Sequence, residues 1–216
     1  MANGTLIIFD LDGTLIDSLD DLTEAVNHML SAFDRPHLVR KQVQKLVGQG
    51  ARRLVEQALP GAEEHDIRKG LDLFLAYNAA HIADQTTLYP GVAETLTLLK
   101  ERGVTMTLVS NKDASFCRTL LEVLGLAGHF EAVYGADSFP ARKPSPEPLL
   151  HVMRQFNRDT ADTVMVGDSI NDIAAGRAAG VRTIACTYGY GELDALQGAD
   201  WHIDSFRELL TLPIRW

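Results

Sequence analysis

The sequence has few of the residues that build disulfide frameworks or zinc sites. It contains two cysteines, Cys117 and Cys186, which are far apart, form no CxxC pair and lie among apolar residues. We interpret both as core thiols in a reducing compartment, and a disulfide or a catalytic thiol is not expected. The seven histidines show no HxxxH or similar ligand spacing, which argues against a histidine-based zinc site.

Long hydrophobic runs and an excess of positive charge are also absent. No apolar stretch approaches the roughly 20 residues that a transmembrane helix needs, and the opening MANGTLIIF lacks the pattern of a secretion signal. The formal net charge of −9 argues against a nucleic-acid or acidic-membrane partner. We therefore expect a cytoplasmic protein, a monomer or a homodimer, whose partner is a small molecule.

Short apolar runs alternate with helical patterns along most of the 216 residues. The runs are partly β-branched and end at polar residues or glycine, which is typical of buried strands. Strands are predicted at residues 5–10, 104–111, 130–137, 162–169 and 181–189. Helices are predicted between them, and a final amphipathic helix at 205–212. This alternation indicates an α/β fold with a parallel, Rossmann-like sheet, which binds ligands at the carboxyl ends of its strands.

One all-helical stretch interrupts this alternation between the first and second strands. It begins after Ser18 with apolar residues on one helical face, and it has a break at 47–50 that a loop could use to reach the site. We interpret residues 17–86 as an inserted α-helical cap, and residues 1–16 and 87–216 as the catalytic core. The linkers at the two ends of the insertion are expected to be the hinges on which the cap closes.

Polar residues follow several of the predicted strands, and a parallel sheet would bring them to one edge. Asp10 and Asp12 follow the first strand, and Asp168 and Asp172 follow the fourth. The other polar candidates are Ser110, Asn111 and Lys112 after the second strand and Lys143 before a helix. Carboxylates crowded in one cleft repel unless a cation lies among them, and oxygen ligands without cysteine or histidine favour Mg²⁺. The set therefore predicts a Mg²⁺ site at which a phosphoryl group is transferred.

Taken singly, these residues have simpler explanations. DGT is common turn chemistry, an aspartate after a strand is often a helix cap, and Lys143 alone is typical of a surface lysine. Their joint order along the chain favours a site. The sequence has no Walker A motif and the GQG at 48–50 follows no strand, so neither nucleotide hydrolysis by that route nor dinucleotide binding is indicated.

The ordered motifs DLDGTL (10–15), VSNK (109–112), KPSP (143–146) and GDSxxD (167–172) resemble those of the haloacid dehalogenase-like hydrolases. The helical insertion and the segments YPGV and VGDSINDIAAGRAAGV resemble the phosphoglycolate phosphatase-like subfamily. The resemblance implies a Mg²⁺-dependent phosphomonoesterase that works through an aspartyl-phosphate intermediate. Asp12 favours phosphate chemistry, because the halide-releasing members of the family lack this second aspartate.

The resemblance also implies a role for each matching residue. Asp10 is the expected nucleophile, and Asp12 is the residue expected to protonate the leaving group and then to deprotonate water. The expected Mg²⁺ ligands are Asp10, Asp12 (through its backbone carbonyl), Asp168 and Asp172. The expected phosphoryl-binding residues are Ser110, Asn111 and Lys143.

Substrate choice is expected to lie in the cap, where the sequence is less specific. Arg52 lies just after the helix break and is a candidate for holding a substrate carboxylate, and Lys112 is a second candidate. A solvated Arg52 is an equally simple interpretation. The open alternatives are a sugar or amino-sugar phosphate phosphatase, a pyrophosphatase, a phosphoglucomutase-like enzyme and, in a different class, a non-catalytic phosphate-binding sensor.

Overall fold

The computed structural model describes residues 4–214 and has a parallel β-sheet at its centre. In chain order the strands are β1 (Leu6–Phe9), β2 (Ile16–Asp17), β3 (Thr87–Leu88), β4 (Thr105–Val109), β5 (Ala132–Tyr134), β6 (Thr163–Gly167), β7 (Arg182–Cys186) and β8 (Trp201–Ile203). Within these residues the main sheet has the order β5-β4-β1-β6-β7-β8, and every neighbouring pair is parallel. The predicted α/β class with a parallel sheet is confirmed.

The central strand β1 is apolar because both faces of a parallel sheet are covered by helices. All four of its residues are buried. In register, Leu6 lies between Thr105 of β4 and Thr163 of β6. The carboxyl ends of β4, β1 and β6 are therefore neighbours, at the point where the strand order reverses. Open α/β sheets bind their ligands at such a point.

Helices connect the strands and cover the sheet. In chain order they are α1 (Leu19–Ser31), α2 (Arg40–Gln44), α3 (Ala51–Ala58), α4 (Glu64–Ala80), α5 (Val92–Glu101), α6 (Ala114–Val123), α7 (Glu147–Gln155), α8 (Ile170–Ala179) and α9 (Leu193–Leu196). A short 3₁₀ helix, Ala127–His129, follows α6. No helix in the described part of the chain has both the length and the apolar character that crossing a membrane requires.

The amphipathic helix predicted at 205–212 is present and is a 3₁₀ helix, Phe206–Thr211. Phe206 and Leu209 are both fully buried, and a helix with three residues per turn places residues three apart on the same side. The tighter helix therefore buries both side chains against the sheet.

The prediction of five strands in the sheet is also corrected, because β8 adds a sixth. This edge strand pairs in parallel with β7, and Trp201 lies opposite Ile184. Ile203 is fully buried whereas His202 is exposed. Three residues are too few for alternation to indicate a strand from the sequence alone.

Helices α1–α4 lie between β1 and β3 and bury a hydrophobic cluster of their own. Leu54 of α3 and Phe74 of α4 belong to it. The predicted apolar face of α1 is confirmed, and its buried residues include Leu22, Ala25, Val26, Met29 and Leu30. The helical insertion thus has an apolar interior that is distinct from the clusters packed on the sheet.

The two linkers between this helical insertion and the sheet run side by side. β2 and β3 form a separate antiparallel pair. Asp21, buried in the first turn of α1, accepts hydrogen bonds from the backbone N–H groups of Gln85 and Thr86. It also accepts one from the Thr86 hydroxyl at 2.6 Å. Both linkers are therefore held together near the carboxyl end of β1.

Candidate active site

The carboxyl ends of three neighbouring strands carry most of the predicted residues. Asp10 follows β1, Ser110 and Asn111 follow β4, and Asp168 follows β6. Because β1 lies between β4 and β6, the structure brings these side chains together at one edge of the sheet. Lys143 reaches the same place from the loop before α7.

Asp10, Asp168 and Asp172 form a buried acidic cluster. Each offers one carboxylate oxygen, and these oxygens lie within 4.8 Å of one another. Lys143 is buried beside them, with its Nζ 2.9 Å from Oδ1 of Asp10 and 2.6 Å from Oδ1 of Asp172. Three carboxylates and one ammonium sum to a net charge of −2, from −3 and +1. One divalent cation would neutralise that charge.

The pKa values of the cluster reflect this crowding. Burial raises the pKa of Asp10 to about 6, although the ion pair with Lys143 opposes the rise. Burial also raises the pKa of Asp168 well above its usual value, and the carboxylates of Asp172 and Asp10 add to the effect. Burial lowers the pKa of Lys143, but Asp10 and Asp172 outweigh it and the pKa lies above its usual value. The ionised carboxylates need a further cation, so the cluster fits a hard divalent metal ion.

Local backbone geometry holds Asp168 in place and explains the DGT motif. Its Oδ1 accepts a hydrogen bond from the Thr14 hydroxyl at 2.9 Å, and its Oδ2 accepts one from the Tyr190 N–H at 2.7 Å. Gly13 has a φ of +83°, and a Cβ at this position would lie 2.2 Å from Oδ2 of Asp168. Glycine is therefore required there for its left-handed backbone and for the space it leaves.

Asp172 lies in the first turn of α8, where it forms a capping box with Ser169. Its Oδ2 accepts hydrogen bonds from the N–H and the hydroxyl of Ser169, at 3.0 and 2.6 Å. This arrangement turns Oδ1 toward Lys143. A Cβ at Gly167 would lie 2.3 Å from Cγ of Asp172. The GDSxxD spacing thus follows from a close strand end and a helix cap.

Asp12 directs its carboxylate into the same cavity but pairs with a different lysine. Its Oδ1 lies 2.7 Å from Nζ of Lys112 and accepts a hydrogen bond from the Ser18 hydroxyl at 2.5 Å. The side chains of Asp12 and Lys112 are each 11% exposed. Two donors on one oxygen fix the orientation of this carboxylate at the wall of the cavity.

Asn111 contacts the loop between α2 and α3. Its Nδ2 donates hydrogen bonds to the carbonyl oxygens of Gly48 and Lys143, at 2.8 and 2.9 Å. Asn171 donates to the same Gly48 oxygen at 3.1 Å. Ser110 is buried and also lines the cavity. The helical insertion therefore touches the sheet side at the site itself, through the backbone of one glycine.

The structure does not bring Arg52 into the cavity. Its guanidinium lies 2.9 Å from Glu56 and 2.6 Å from Glu64, and 47% of the side chain is exposed. Arg53 pairs with Glu56 on the same surface. Within residues 4–214, neither arginine is among the side chains that line the cavity.

The loop after β7 contributes residues that sequence reasoning missed. The Tyr190 hydroxyl accepts a hydrogen bond from the Ser18 N–H at 2.7 Å. The backbone carbonyl of Tyr190 accepts a second one from Nε2 of Gln44 at 3.0 Å. Its ring packs against the hydrophobic cluster of the helical insertion. A Cβ at Gly191 would lie 2.0 Å from the carbonyl oxygen of Asp168. The signal was the sequence TYGYG at the end of the fifth predicted strand, since glycine often marks a close backbone approach.

A cavity of about 410 Å³ lies between the acidic cluster and the helical insertion. Its polar wall belongs to the sheet side and includes Asp10, Asp12, Ser110, Asn111, Lys112, Lys143, Asp168 and Asp172. The opposite wall belongs to α1, α3 and α4. One wall of the cavity is therefore charged, and the opposite wall is mainly apolar.

Three features define the class of this protein: a parallel sheet with aspartates after its central strands, a buried lysine, and a helical insertion after β1. Residues 7–186 match the family model described as haloacid dehalogenase-like hydrolase. The match covers most of the chain, and the chain belongs to this family.

Individual relatives give a narrower comparison. The chain is 44% identical over 214 residues to phosphoglycolate phosphatase 1 of Pseudomonas aeruginosa, a match that covers 95% of this chain and 78% of that protein. It is 38% identical over 211 residues to phosphoglycolate phosphatase of Chromobacterium violaceum, covering 95% of each. The crystal structure of a predicted phosphoglycolate phosphatase from Haemophilus somnus is similar, with a TM-score of 0.93, 32% identity and 98% of both chains covered.

Proposed function

We propose that this chain is a Mg²⁺-dependent phosphoglycolate phosphatase that hydrolyses 2-phosphoglycolate to glycolate and inorganic phosphate. The observation that carries the proposal is a buried acidic cluster around Asp10 with a second aspartate, Asp12, beside it on the cavity wall. Relatives that match nearly the whole chain carry this activity in their names, which supports the choice of substrate.

Asp10 is the proposed nucleophile. One of its carboxylate oxygens bonds to phosphorus while the bond from phosphorus to the glycolate oxygen breaks, which gives an aspartyl-phosphate. Protonated Asp12 donates its proton to the departing oxygen. Asp12 then takes a proton from the water that attacks phosphorus, so that phosphate leaves and Asp10 is regenerated. Ser18 and Lys112 both donate to the Asp12 carboxylate and favour its ionised form, which is the form that takes the proton from water.

Mg²⁺ is the proposed metal, because the donor set is made of oxygen atoms and needs a charge of +2. The proposed ligands are Asp10, the backbone carbonyl of Asp12, Asp168 and Asp172. When bound, the ion would offset the negative charge of the phosphoryl oxygens.

Lys143 and Ser110 are the proposed ligands of the transferring phosphoryl group. Lys143 is already 2.9 Å from Oδ1 of Asp10, so its ammonium lies beside the atom that phosphorus would approach. Asn111 donates to the Lys143 carbonyl, and we assign it the role of holding this loop in place beneath the phosphoryl site.

Lys112 is the proposed partner of the substrate carboxylate. Its Nζ lines the cavity and lies 2.7 Å from Asp12, the residue that would protonate the ester oxygen. In 2-phosphoglycolate a single methylene separates that oxygen from the carboxylate. A lysine next to Asp12 matches this short separation, and the ion pair with Asp12 would be exchanged for one with the substrate.

We assign residues 17–86 to a cap and residues 1–16 and 87–216 to the catalytic core. The contacts of Gly48 with Asn111 and Asn171 support a closing motion that ends at the active site. Closure over the bound ester would exclude bulk water during phosphoryl transfer.

Phosphate release from a panel of esters tests the proposed function. The panel contains 2-phosphoglycolate, sugar phosphates and pyrophosphate, each with Mg²⁺ or with a chelator. We expect hydrolysis of 2-phosphoglycolate that chelation stops, and a fall in kcat of about 10⁴-fold or more for Asp10→Asn. If Asp10→Asn keeps wild-type activity, Asp10 is not the nucleophile.

The same panel separates the alternatives left open by the sequence. Conversion of a hexose phosphate to its isomer without stoichiometric phosphate release would indicate a mutase. Binding of Mg²⁺ and phosphate without turnover of any ester would indicate a sensor.

Lys112→Met is expected to raise KM for 2-phosphoglycolate about tenfold, because the substrate carboxylate loses its charged partner.

A further inference from the structure

Asp21 of α1 is a buried carboxylate whose charge is not balanced by a cation. Only 3% of the residue is exposed. Within residues 4–214, no lysine, arginine or histidine forms an ion pair with it. Burial of an unpaired charge destabilises a folded protein unless hydrogen bonds compensate for the lost water. The phosphatase chemistry does not use Asp21, so its burial has another cause.

The second linker supplies the compensating hydrogen bonds. Oδ1 of Asp21 accepts one from the Gln85 N–H at 3.0 Å. Oδ2 accepts two from Thr86, from the N–H at 2.9 Å and from the hydroxyl at 2.6 Å. Asp21 also lies in the first turn of α1, where the helix dipole favours a negative charge. One carboxylate therefore fastens the end of the helical insertion to its beginning.

The first linker is fastened to the same helical turn by an arginine. Arg40 of α2 donates to both carboxylate oxygens of Asp17, at 2.8 and 2.6 Å, and to Oδ1 of Asp20 at 2.8 Å. Asp17 is the last residue of β2, and Asp20 lies in the first turn of α1. These ion pairs are partly exposed, and solvent weakens such pairs. The buried bonds of Asp21 are therefore the stronger of the two fastenings.

We propose that Asp21 is a positioning residue that makes the helical insertion turn as one body on the sheet. With both linkers fastened to the first turn of α1, the chain enters and leaves the insertion through the paired strands β2 and β3. A single ribbon gives a single hinge axis, which returns the Gly48 carbonyl to one position beside Asn111 and Asn171. The inference rests on the proposed phosphatase function, because that position closes the site.

A double-mutant cycle with Asn171 tests this role. Asn171→Ala removes one hydrogen bond to Gly48 and should lower kcat/KM for 2-phosphoglycolate about fivefold. Asp21→Ala should lower it about tenfold, because fewer molecules close in the productive orientation. If both act through the position of Gly48, the double variant should lose about 10–15-fold and not the roughly fiftyfold product of the single losses.

Asp200 offers a matched control away from the insertion. Its Oδ2 accepts hydrogen bonds from the N–H and the hydroxyl of Thr183, at 2.7 and 2.9 Å, as that of Asp21 does from Thr86. Asp200→Ala should lower Tm and change kcat/KM less than about twofold. If Asp21→Ala does not fold, Thr86→Val replaces it. This variant loses only the hydroxyl donor, and we expect the same non-additive pattern with a loss of about threefold.

Amide hydrogen exchange, in the presence of Mg²⁺ and inorganic phosphate, separates a positioning role from a local contact. In Asp21→Ala, exchange at Gln85 and Thr86 should become faster because their acceptor is gone. We expect faster exchange also at residues 47–51, which are distant in sequence from Asp21. Faster exchange at 85–86 alone, or single losses that multiply in full in the double variant, would overturn the proposal. If no ester is hydrolysed, the phosphatase proposal fails, and the exchange at 47–51 still decides the role of Asp21.

Discussion

The two walls of the cavity differ in polarity. On the sheet side, Asp10, Asp12 and Asp172 each face a lysine within 3 Å, and Asp168 accepts two hydrogen bonds. On the side of the helical insertion, the wall is mainly apolar and includes Leu54 and Phe74. The paired wall is organised before substrate arrives, as catalysis by fixed charges requires. The apolar wall would distinguish substrates by the apolar surface that they place against it.

Substitution of Lys143, the central cation of the paired wall, should reduce kcat and stability more than the other changes. Lys143→Met leaves Asp10 and Asp172 without their common partner, and breaking a buried ion pair costs about 3–5 kcal/mol. We expect kcat to fall about 10²–10³-fold and the metal-free protein to melt at a lower temperature. Phosphate release and thermal unfolding measure the two effects. Lys41→Met, which removes an exposed lysine of α2, is the control, and similar losses in both variants would contradict this assignment.

Metal binding to the paired wall should depend on pH in a defined direction. The folded pKa of Asp10, about 6, lies above the ordinary value of 3.8 for an aspartate. The stability that Asp10 contributes by holding a proton is therefore complete below about pH 4 and is lost as pH rises through about 6. Mg²⁺ binds the ionised carboxylates, so it should raise Tm by several degrees more at about pH 7.5 than at about pH 5.

Calorimetry of the metal-free protein, with and without Mg²⁺ at each pH, measures this difference. Asp10→Asn is the control, because an amide cannot titrate and its Tm should lose this part of the pH dependence. A Mg²⁺ effect that is larger at the lower pH would show that Asp10 is not part of the metal site.

The paired wall could be foreseen from the sequence because its residues follow strands. An apolar run such as LIIF predicts a buried strand, and a parallel sheet brings the residues after such strands to one edge. Gly13 and Gly167 are explained by the same geometry, since each lies against a carboxylate of the cluster. The sequence thus predicted the α/β fold, the helical insertion and the grouping of Asp10, Asp168 and Lys143.

The rest depends on contacts between segments that are distant in sequence. No local pattern shows that Tyr190 reaches Ser18, or that Asn78 faces a cavity while Arg52 turns to a surface carboxylate. The short strand β8 and the 3₁₀ helix at Phe206–Thr211 are likewise decided by packing on the sheet. Local periodicity is too weak to predict elements of this length.

The tyrosine that joins the two walls should have an intermediate effect. Tyr190→Phe keeps the ring and the backbone N–H on Asp168, but it removes the acceptor of the Ser18 N–H and the donor to Asp17. We expect kcat to fall about tenfold, since one lost hydrogen bond of about 1.4 kcal/mol corresponds to that factor, while the affinity for Mg²⁺ stays the same. Amide hydrogen exchange in the linker around Ser18 should become faster.

Tyr188→Phe is the matched control from the same loop. Its hydroxyl donates to the Thr14 carbonyl on the sheet side, at 2.9 Å. This variant should lose some stability without faster exchange in the linker. If both variants accelerate linker exchange equally, the effect belongs to the loop as a whole and not to the contact between Tyr190 and Ser18.

Arg52 should show the smallest effect, and it sharpens the contrast between the walls because it lies on the outer surface of the insertion. The sequence makes it a candidate for the substrate carboxylate, yet its guanidinium is half exposed and already paired with Glu56 and Glu64. Exposed ion pairs contribute little to stability because solvent screens them. We expect Arg52→Ala to change kcat/KM for 2-phosphoglycolate less than about twofold, against about tenfold in KM for Lys112→Met. Should Arg52→Ala raise KM as much as Lys112→Met does, the insertion must turn Arg52 into the cavity during turnover, and its pairing with Glu64 would be a resting contact.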